Sequence, residues 1–357
     1  MVAASALSLR LSNPMNHRNW IPSVITLVAT WAAIGMVGIR AEDARPPRRD
    51  SLLYVSIEAE NDLWGSGDDR HYTHGTRLSF MPACEPPGWL RRICETVRLF
   101  EPGTARRVEF SVGQAIFTPE DIRSPNLVER DRPYAGWLYG TASVIALVEE
   151  SPEQRSANNL DITLGIVGPS ARAGQVQTDW HEVIDSPRPE GWDHQLNDEP
   201  GIVLTYTRLW ERFIALPLNI QAGFAPHFVV AAGNVYTYGG AGTMMRLGLN
   251  LRDDLGPSTI KPGFPGAAYF RKKHAWAFYG FAGVEARGVA RNIFLDGNTF
   301  EDSHRVDKKP LVFDAQVGIA LRYKNIRLSV TDVFRSKEFD GQDEISEYGA
   351  INVTVLF

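Results

Sequence analysis

Hydrophobic positions beyond residue 50 alternate with small or polar positions, in segments of about ten residues. In the segment 313–323, one face carries Phe313, Ala315, Val317, Ile319, Leu321 and Tyr323. The other face carries Asp314, Gln316, Gly318, Ala320 and Arg322. A secreted β-sandwich also alternates, but it would have to bury this polar face. The pattern therefore favours a transmembrane antiparallel β-barrel, and the sandwich remains the alternative.

Twelve such segments begin near residues 52, 71, 106, 136, 158, 202, 216, 239, 275, 311, 327 and 347. An even number is expected of single-chain bacterial barrels. The stretch 291–309 could extend its neighbouring strands or add a loop hairpin, so the prediction is about twelve strands. The last segment ends on Phe357 after apolar residues at alternate positions, which resembles the terminal strand by which the barrel-assembly machinery recognises its substrates. We therefore predict an all-β barrel over residues 51–357 in the bacterial outer membrane.

The N-terminal sequence has the pattern of an export signal. The basic "MNHRN" precedes the apolar run "WIPSVITLVATWAAIGMVG" and the small residues before "EDARPPRRD". This order is typical of a secretory signal peptide, and we predict cleavage after Ala41, with 42–50 as a polar lead-in. The run is also long enough to be an uncleaved anchor helix.

Composition agrees with an exported protein and adds one further constraint. The 357 residues are 44% hydrophobic and 22% charged, with a net charge of −5, which gives no reason to expect a nucleic-acid partner. The two cysteines, Cys84 and Cys94, fit one small disulfide loop in an oxidising compartment.

Strand parity places three unusual connections on one side of the barrel. If the N-terminus starts in the periplasm, each odd-to-even connection lies outside the cell. These connections are the charged tip 61–70, the segment 117–135 and the longest one, 169–201. From about Arg172 to Ile184 the last of them can form an amphipathic helix, with Val176, Trp180, Val183 and Ile184 on one face. Such a helix can lie along the barrel wall near the outer leaflet, with His181 close to the apolar stripe.

Three segments together resemble the outer-membrane lipid A 3′-O-deacylase family. They are "AENDLWGSGDDRHYTHGTRLS", "GQAIFTPEDIR" with "RDRPYAGW", and the Gly165–Glu199 region around "VQTDWH" and "GWDHQLNDE". The resemblance covers essentially the whole mature chain in the same order. It implies a twelve-stranded barrel with a calcium-dependent active site at the outer rim, between the wall and a loop helix. The implied reaction removes the acyl chains ester-linked at the 3′ position of lipid A.

Residue by residue, the resemblance carries the family's site onto this chain. Its Asn-Asp pair falls on Asn61 and Asp62, its threonine on Thr73, and its helix histidine on His181. A basic residue of the second loop falls on Arg123. Family members can carry a glutamate six residues after the histidine, where this chain has Pro187. Asp185 or Glu182 could replace that acid, or it could be dispensable.

The same residue types suit ester hydrolysis on chemical grounds. A neutral imidazole at His181 could take a proton from water. Oxygens of Asp62 and Asn61 suit Ca²⁺, which could polarise the ester carbonyl, and Thr73 could add a hydrogen bond. Arg123, with Arg130 or Arg132, could hold a lipid A phosphate in a bidentate fork. Asp68 and Asp69 are interpreted as solvated loop residues rather than as a second cation site.

Two other functions remain open at this stage. A serine-type lipase barrel could use Ser66 or Ser79 as nucleophile, since barrel lipases need no GxSxG motif. A non-enzymatic pore or receptor could use the charged rim to repel or sort solutes. Its inward charges, such as Arg322, Glu285 and Glu109, could equally pair across a filled lumen.

Overall fold

The computed structural model describes residues 53–64, 71–82, 106–257, 259–267, 269 and 273–357, with single positions at 88 and 92. The first 52 residues, which include the predicted signal peptide and lead-in, lie outside the described residues. So do Ser66, Asp68, Asp69, Cys84 and Cys94. The expectations for these positions therefore stay predictions.

The described residues form a closed barrel of twelve strands, in which each strand pairs antiparallel with its sequence neighbours and β1 pairs with β12. The strands are β1 (Tyr54–Asn61), β2 (His71–Met81), β3 (Arg106–Thr118), β4 (Ala135–Glu149), β5 (Gln154–Val167), β6 (Glu199–Ala215), β7 (Gln221–Gly233), β8 (Tyr236–Leu249), β9 (Trp276–Asn292), β10 (Leu311–Tyr323), β11 (Ile326–Arg335) and β12 (Ser346–Leu356). The predicted barrel and strand number are confirmed. The largest difference in a strand start is at β7, which begins at Gln221 rather than near 216.

Side chains alternate between the two faces of the wall in the sense required of a membrane barrel. On β10, Phe313 and Ile319 are 52% and 55% exposed on the outside, whereas Asp314 and Arg322 are 3% and 1% exposed in the lumen. Exposed outward hydrophobics of this kind recur around the barrel. A surface that presents apolar groups and hides charges is stable in lipid and unstable in water.

The barrel has two different rims. The terminus rim is where β1 begins and β12 ends, with Tyr54 opposite Leu356. The helix rim, at the other end, carries the β1–β2, β3–β4 and β5–β6 connections. The last of these contains helix α1 (Ala173–Ile184), which agrees with the predicted helix, and a shorter helix α2 (Ile293–Asp296) follows β9. Among the described helices, none is long and apolar enough to cross a membrane.

The connection from β8 to β9, residues 250–275, enters the lumen from the terminus rim, and we call it the lumen segment. On the way in and out it passes Arg327, which donates to the carbonyls of Gly256 and Ala267. At its far end, the backbone N–H of Ile260 donates to Glu60 Oε1 over 2.8 Å. Glu60 is the second-last residue of β1, so the segment reaches almost to the helix rim.

Ion pairs fill much of the remaining lumen. Near the terminus rim, Arg155 and Arg246 share Glu211. Towards the helix rim, Asp314 is shared by Arg287 and Arg335, each at 2.9 Å. Buried charges of this kind are stable only when paired, and these pairs link nearby strands of the wall on its lumen side. The interior is therefore packed. Of the two alternatives that the sequence left open for the inward charges, the structure shows pairing in a filled lumen.

Candidate active site

Asn61 and Thr73 are brought together at the helix rim by the β1–β2 hairpin. Asn61 Nδ2 donates to the carbonyl of Thr73 over 3.0 Å, and it lies 3.4 Å from His74 Nδ1. The register places Asn61 directly opposite His74. Glu60 points into the lumen, so strand alternation directs Asn61 to the outer face of the wall. Asn61 is nevertheless only 5% exposed, which shows that another part of the chain covers this face.

A break in the β2–β3 register presents Thr73 at the same place. The pairing shifts between Tyr72 and His74, so Thr73 is the extra residue of a bulge. Its hydroxyl shares a hydrogen bond of 2.7 Å with the hydroxyl of Thr118, the last residue of β3. Both threonines are buried. Bulges change the direction of side chains near sites, and here the Thr73 hydroxyl reaches Thr118 at the end of β3.

Helix α1 lies against the outer face of β3 and β4. Trp137 points into the lumen, so its neighbour Gly136 faces outwards, and a Cβ at Gly136 would meet the side chains of Ala173 and Ala171. Gln114 of β3 donates from Nε2 to the carbonyl of Ala171 over 2.7 Å. The absence of a side chain at Gly136 therefore allows the start of the helix to approach the wall closely.

The side of α1 that is buried is not its apolar side. The buried residues are Ala173, Gln177 and His181, spaced four apart. By contrast, Val176 and Val183 are 41% and 71% exposed. The sequence correctly predicted a helix on the wall, but small and polar side chains make the contact.

The imidazole of His181 is oriented by the backbone. Its Nδ1 is hydrogen-bonded to the carbonyl oxygen of Pro187, which can only accept. Nδ1 therefore carries the proton, and in the neutral ring Nε2 keeps the lone pair that a general base needs. Asp185 and Glu182 are both exposed. The backbone carbonyl of Pro187 thus orients the ring, at the position where family members can have a glutamate.

The loop that contains Trp192 packs against one side of helix α1. Trp192 Nε1 donates to Gln177 Oε1 over 2.9 Å, and a Cβ on Gly174 would meet the Trp192 ring. Trp192 also packs against Tyr134 with ring centroids 4.9 Å apart. Because Tyr134 directly precedes β4 at the helix rim, Trp192 lies on the side of α1 away from the membrane.

Four of the predicted site residues thus belong to one region of the outer wall. Asn61, Asp62 and Thr73 lie at the helix-rim ends of β1 and β2, and β3 is the next strand. Thr118 links that hairpin to β3, and α1, with His181 buried at 2% exposure, packs on β3 and β4. The side chains of all four are buried although they lie at the end of the barrel.

The two predicted arginines are placed differently from each other. Arg123 is exposed in the β3–β4 connection. Arg132 is 1% exposed, with its guanidinium 5.0 Å from the centre of the Phe117 ring and 3.6 Å from Glu338. Burial lowers the pKa of Arg132 from its ordinary value, and the nearby Glu338 carboxylate opposes that shift. The position of Arg132 inside the barrel does not favour contact with a lipid phosphate, whereas that of Arg123 does.

The donor groups at the hairpin suit a hard cation. Asn61 Oδ1 and Asp62 Oδ1 each accept the N–H of Leu63 over 2.9 Å, which directs both side chains to one short turn. With the Thr73 hydroxyl they form an oxygen-only set, as Ca²⁺ prefers. In the part of the chain that the structure describes, no cluster of three or more His, Cys, Asp or Glu side chains could hold a metal. A cation here would therefore depend on amide, hydroxyl and backbone oxygens as well as on Asp62.

Sequence reasoning missed three contributors to this region: Thr118, Gln177 and the carbonyl of Pro187. Gln177 lies four residues before His181, so helical spacing could have placed it on the same face. Thr118 and the Pro187 carbonyl gave no such signal, because their roles depend on a bulge and on a loop conformation.

Comparison with known proteins shows which proteins this barrel is similar to. A family model described as outer membrane protein LpxR matches residues 24–357. Among solved structures, LpxR from Salmonella typhimurium has a TM-score of 0.70 at 22% identity, over 85% of this chain and 100% of that one. The translocator domain of the autotransporter NalP from Neisseria meningitidis has a TM-score of 0.38 at 7% identity, over 94% of this chain and 96% of that one. No curated protein sequence matches significantly.

Proposed function

The chain belongs to the LpxR family of outer membrane proteins, and we propose that it is an esterase that removes the 3′-linked acyl chains of lipid A. It is a barrel of the bacterial outer membrane, where lipid A of lipopolysaccharide is the lipid of the outer leaflet. Family membership supports lipid A deacylase activity in general. We also propose that the 3′ ester is the bond cleaved, that Ca²⁺ is the cofactor, and that the residues described below perform the reaction.

The observation that supports this function best is a histidine buried on a helix that packs against the outer wall of the barrel, at the same rim as the oxygen-rich β1–β2 hairpin. A site on the lumen side would be open to solutes, whereas a site on the outer wall is open to lipids. The buried face of α1 and the outward-facing Asn61 both lie on that outer wall, at the rim predicted to face the cell exterior. An enzyme that acts on a membrane lipid needs this placement.

His181 would act as the general base. Its Nδ1–H is held by the Pro187 carbonyl, so Nε2 can accept a proton from the attacking water as the water oxygen bonds to the ester carbonyl carbon. The alkoxide of the sugar then leaves and takes up a proton, which the imidazolium can return. The carbonyl of Pro187 keeps the ring in one orientation throughout.

Stabilisation of the developing negative charge on the carbonyl oxygen would fall to the hairpin. When bound by Asp62 and Asn61, Ca²⁺ would supply positive charge at that oxygen. The Asn61 amide is fixed by its hydrogen bond to the Thr73 carbonyl, so Asn61 holds the turn in position. The Thr73 hydroxyl, held by Thr118, would add hydrogen-bond support. Arg123 would bind a lipid A phosphate at the surface.

The described residues give little support to the rival functions, and Ser66, the other candidate serine, lies outside them. Ser79 lies on the lumen side of β2, is 3% exposed and is two residues from the end of the strand at the terminus rim. A serine there would have no access to a lipid ester. A pore function is not supported either, because the lumen segment and the ion pairs occupy the interior.

Purified, folded protein incubated with lipid A in detergent tests the proposal. Release of a free fatty acid is expected with Ca²⁺, and little release is expected after chelation or in a His181→Ala variant. Serine-directed reagents should not inhibit. Inhibition by such reagents together with full activity in chelator would overturn the mechanism in favour of a serine lipase. A folded barrel that releases no fatty acid from lipid A under any condition would overturn the esterase function.

A further inference from the structure

The acyl chain of the substrate needs a binding surface in addition to the proposed site. Two cavities in the described part of the lumen are too small to hold the acyl chain. One of about 60 Å³ lies between the lumen segment and β3–β6, and another of about 40 Å³ lies beside it. Each has room for only a few water molecules, at roughly 10–15 Å³ apiece. We therefore expect the acyl chain to run outside the barrel.

Helix α1 has one apolar flank that the protein leaves open. Successive residues of a helix are about 100° apart, so Val176 and Val183 project to one side of the buried line through Ala173, Gln177 and His181. Trp180 lies between that line and the two valines and is half-buried. Ile184, the last residue of the helix, falls on the buried line itself. We define the apolar flank as Val176, Trp180 and Val183.

The opposite flank shows which way the apolar flank faces. Gly174 and Thr178 project to the other side of the buried line, and there Gly174 meets Trp192. Trp192 belongs to the loop beyond the strand ends, on the side away from the membrane. The apolar flank therefore faces the membrane. Gln175, Asp179 and Glu182, on the helix side farthest from the wall, are all exposed and polar.

Below the helix, the wall continues this apolar surface. Leu138, two residues further along β4 than Gly136 and on the same outer face, is 38% exposed. Leu164 of the adjacent strand β5 is 56% exposed on that face. The apolar flank and these wall residues are therefore exposed on the same, membrane-facing side of the barrel, and we infer that they form one apolar surface below the helix that carries His181.

We propose that the apolar flank of α1 and the adjoining wall form the docking surface for the acyl chain of the lipid A molecule whose ester is cleaved. This inference rests on the proposed function for the identity of the occupant. With one chain along Val176 and Val183, the ester would reach His181 from the membrane side without leaving the leaflet. The buried polar face of α1 would then take part in the reaction, and its exposed apolar flank would hold the acyl chain.

Photocrosslinking in intact cells tests the surface independently of catalysis. A photoreactive residue introduced at Val183 is expected to yield an adduct that contains lipid A, identified by mass spectrometry. The matched control at Asp179, on the same helix but on its solvent side, should yield none. Phospholipid adducts alone at position 183, or equal lipid A adducts from both positions, would overturn the proposal.

Enzyme kinetics of the folded protein provide a second test of the docking surface. Replacing both valines, Val176→Asn with Val183→Asn, should lower kcat/KM on long-chain lipid A on the order of ten-fold, mainly through KM. The paired control Asp179→Asn with Glu182→Gln should leave it unchanged. Unchanged kinetics in the valine variant would refute the surface. If the protein with the photoreactive residue at position 183 forms the lipid A adduct but the wild type cleaves no ester, the proposed function fails and the docking surface stands.

Discussion

Carboxylates next to His181 should contribute little to catalysis, because the imidazole is held by the Pro187 carbonyl instead. We predict that Glu182→Gln and Asp185→Asn retain near-wild-type kcat, while His181→Ala loses at least ~100-fold as expected for a general base. Rates of fatty-acid release from lipid A, measured on folded barrels, check this. A large loss in Asp185→Asn with a small one in Glu182→Gln would show that a carboxylate, not the carbonyl, orients the ring.

Asp62 should link calcium to both activity and stability. We predict that Asp62→Ala abolishes turnover and also removes the rise in thermal stability that Ca²⁺ gives the wild type, since a ligand that binds only the folded state stabilises it. Thermal unfolding with and without Ca²⁺ measures this apart from catalysis. The exposed Glu120 of the same rim provides the control, and Glu120→Gln should respond normally. A wild-type stability that is indifferent to Ca²⁺ would remove the metal from the site.

At the level of elements, the lumen segment should support the catalytic hairpin from inside. Glu60 accepts the N–H of Ile260 on one oxygen and the hydroxyl of Tyr72 on the other, at 2.8 and 2.7 Å, and it directly precedes Asn61. Glu60→Ala would leave two buried donors without acceptors, at a cost of about 1–3 kcal/mol each. We predict a kcat reduced on the order of ten-fold in a barrel that still folds.

The control for this prediction is another lumen residue of β1. Ser56 bonds Thr354 far from the helix rim, so Ser56→Ala should keep full activity. Glu60→Gln retains one acceptor for Ile260 and should lie between the two. Equal kcat values in all three variants would mean that the hairpin keeps its position without the lumen segment.

The strands and α1 could be predicted from the sequence because their patterns are local. Alternation placed the start of β2 at residue 71 and that of β10 at 311, where the structure has them. The burial of the Gln177 face of α1 could not be predicted by ranking hydrophobicity, since it depends on Gly136 and Gln114 in other strands. The lumen segment was missed for a similar reason: Ile260 meets a residue 200 positions away.

For the whole molecule, a filled lumen implies that the barrel does not conduct. Lys261 of the lumen segment pairs with Asp161 of β5, and Arg335 of β11 donates to the carbonyl of Pro262 over 2.9 Å, so the segment is bound on several sides. We predict no steady conductance from the purified protein in planar bilayers. Replacing residues 255–267 by a short Gly-Ser linker should open a conducting path. Steady wild-type conductance would instead support the pore function.

Mass spectrometry of lipid A from cells that express this chain tests its proposed activity most directly. Cells with the wild-type barrel are expected to yield lipid A that lacks the acyl group, or acyloxyacyl group, at the 3′ position, with the other acyl chains intact. Cells with an equal amount of folded His181→Ala barrel should yield unmodified lipid A. Unmodified lipid A from the wild type in the presence of Ca²⁺, or loss of an acyl group from a different position, would contradict the assignment of this chain as a lipid A 3′-O-deacylase.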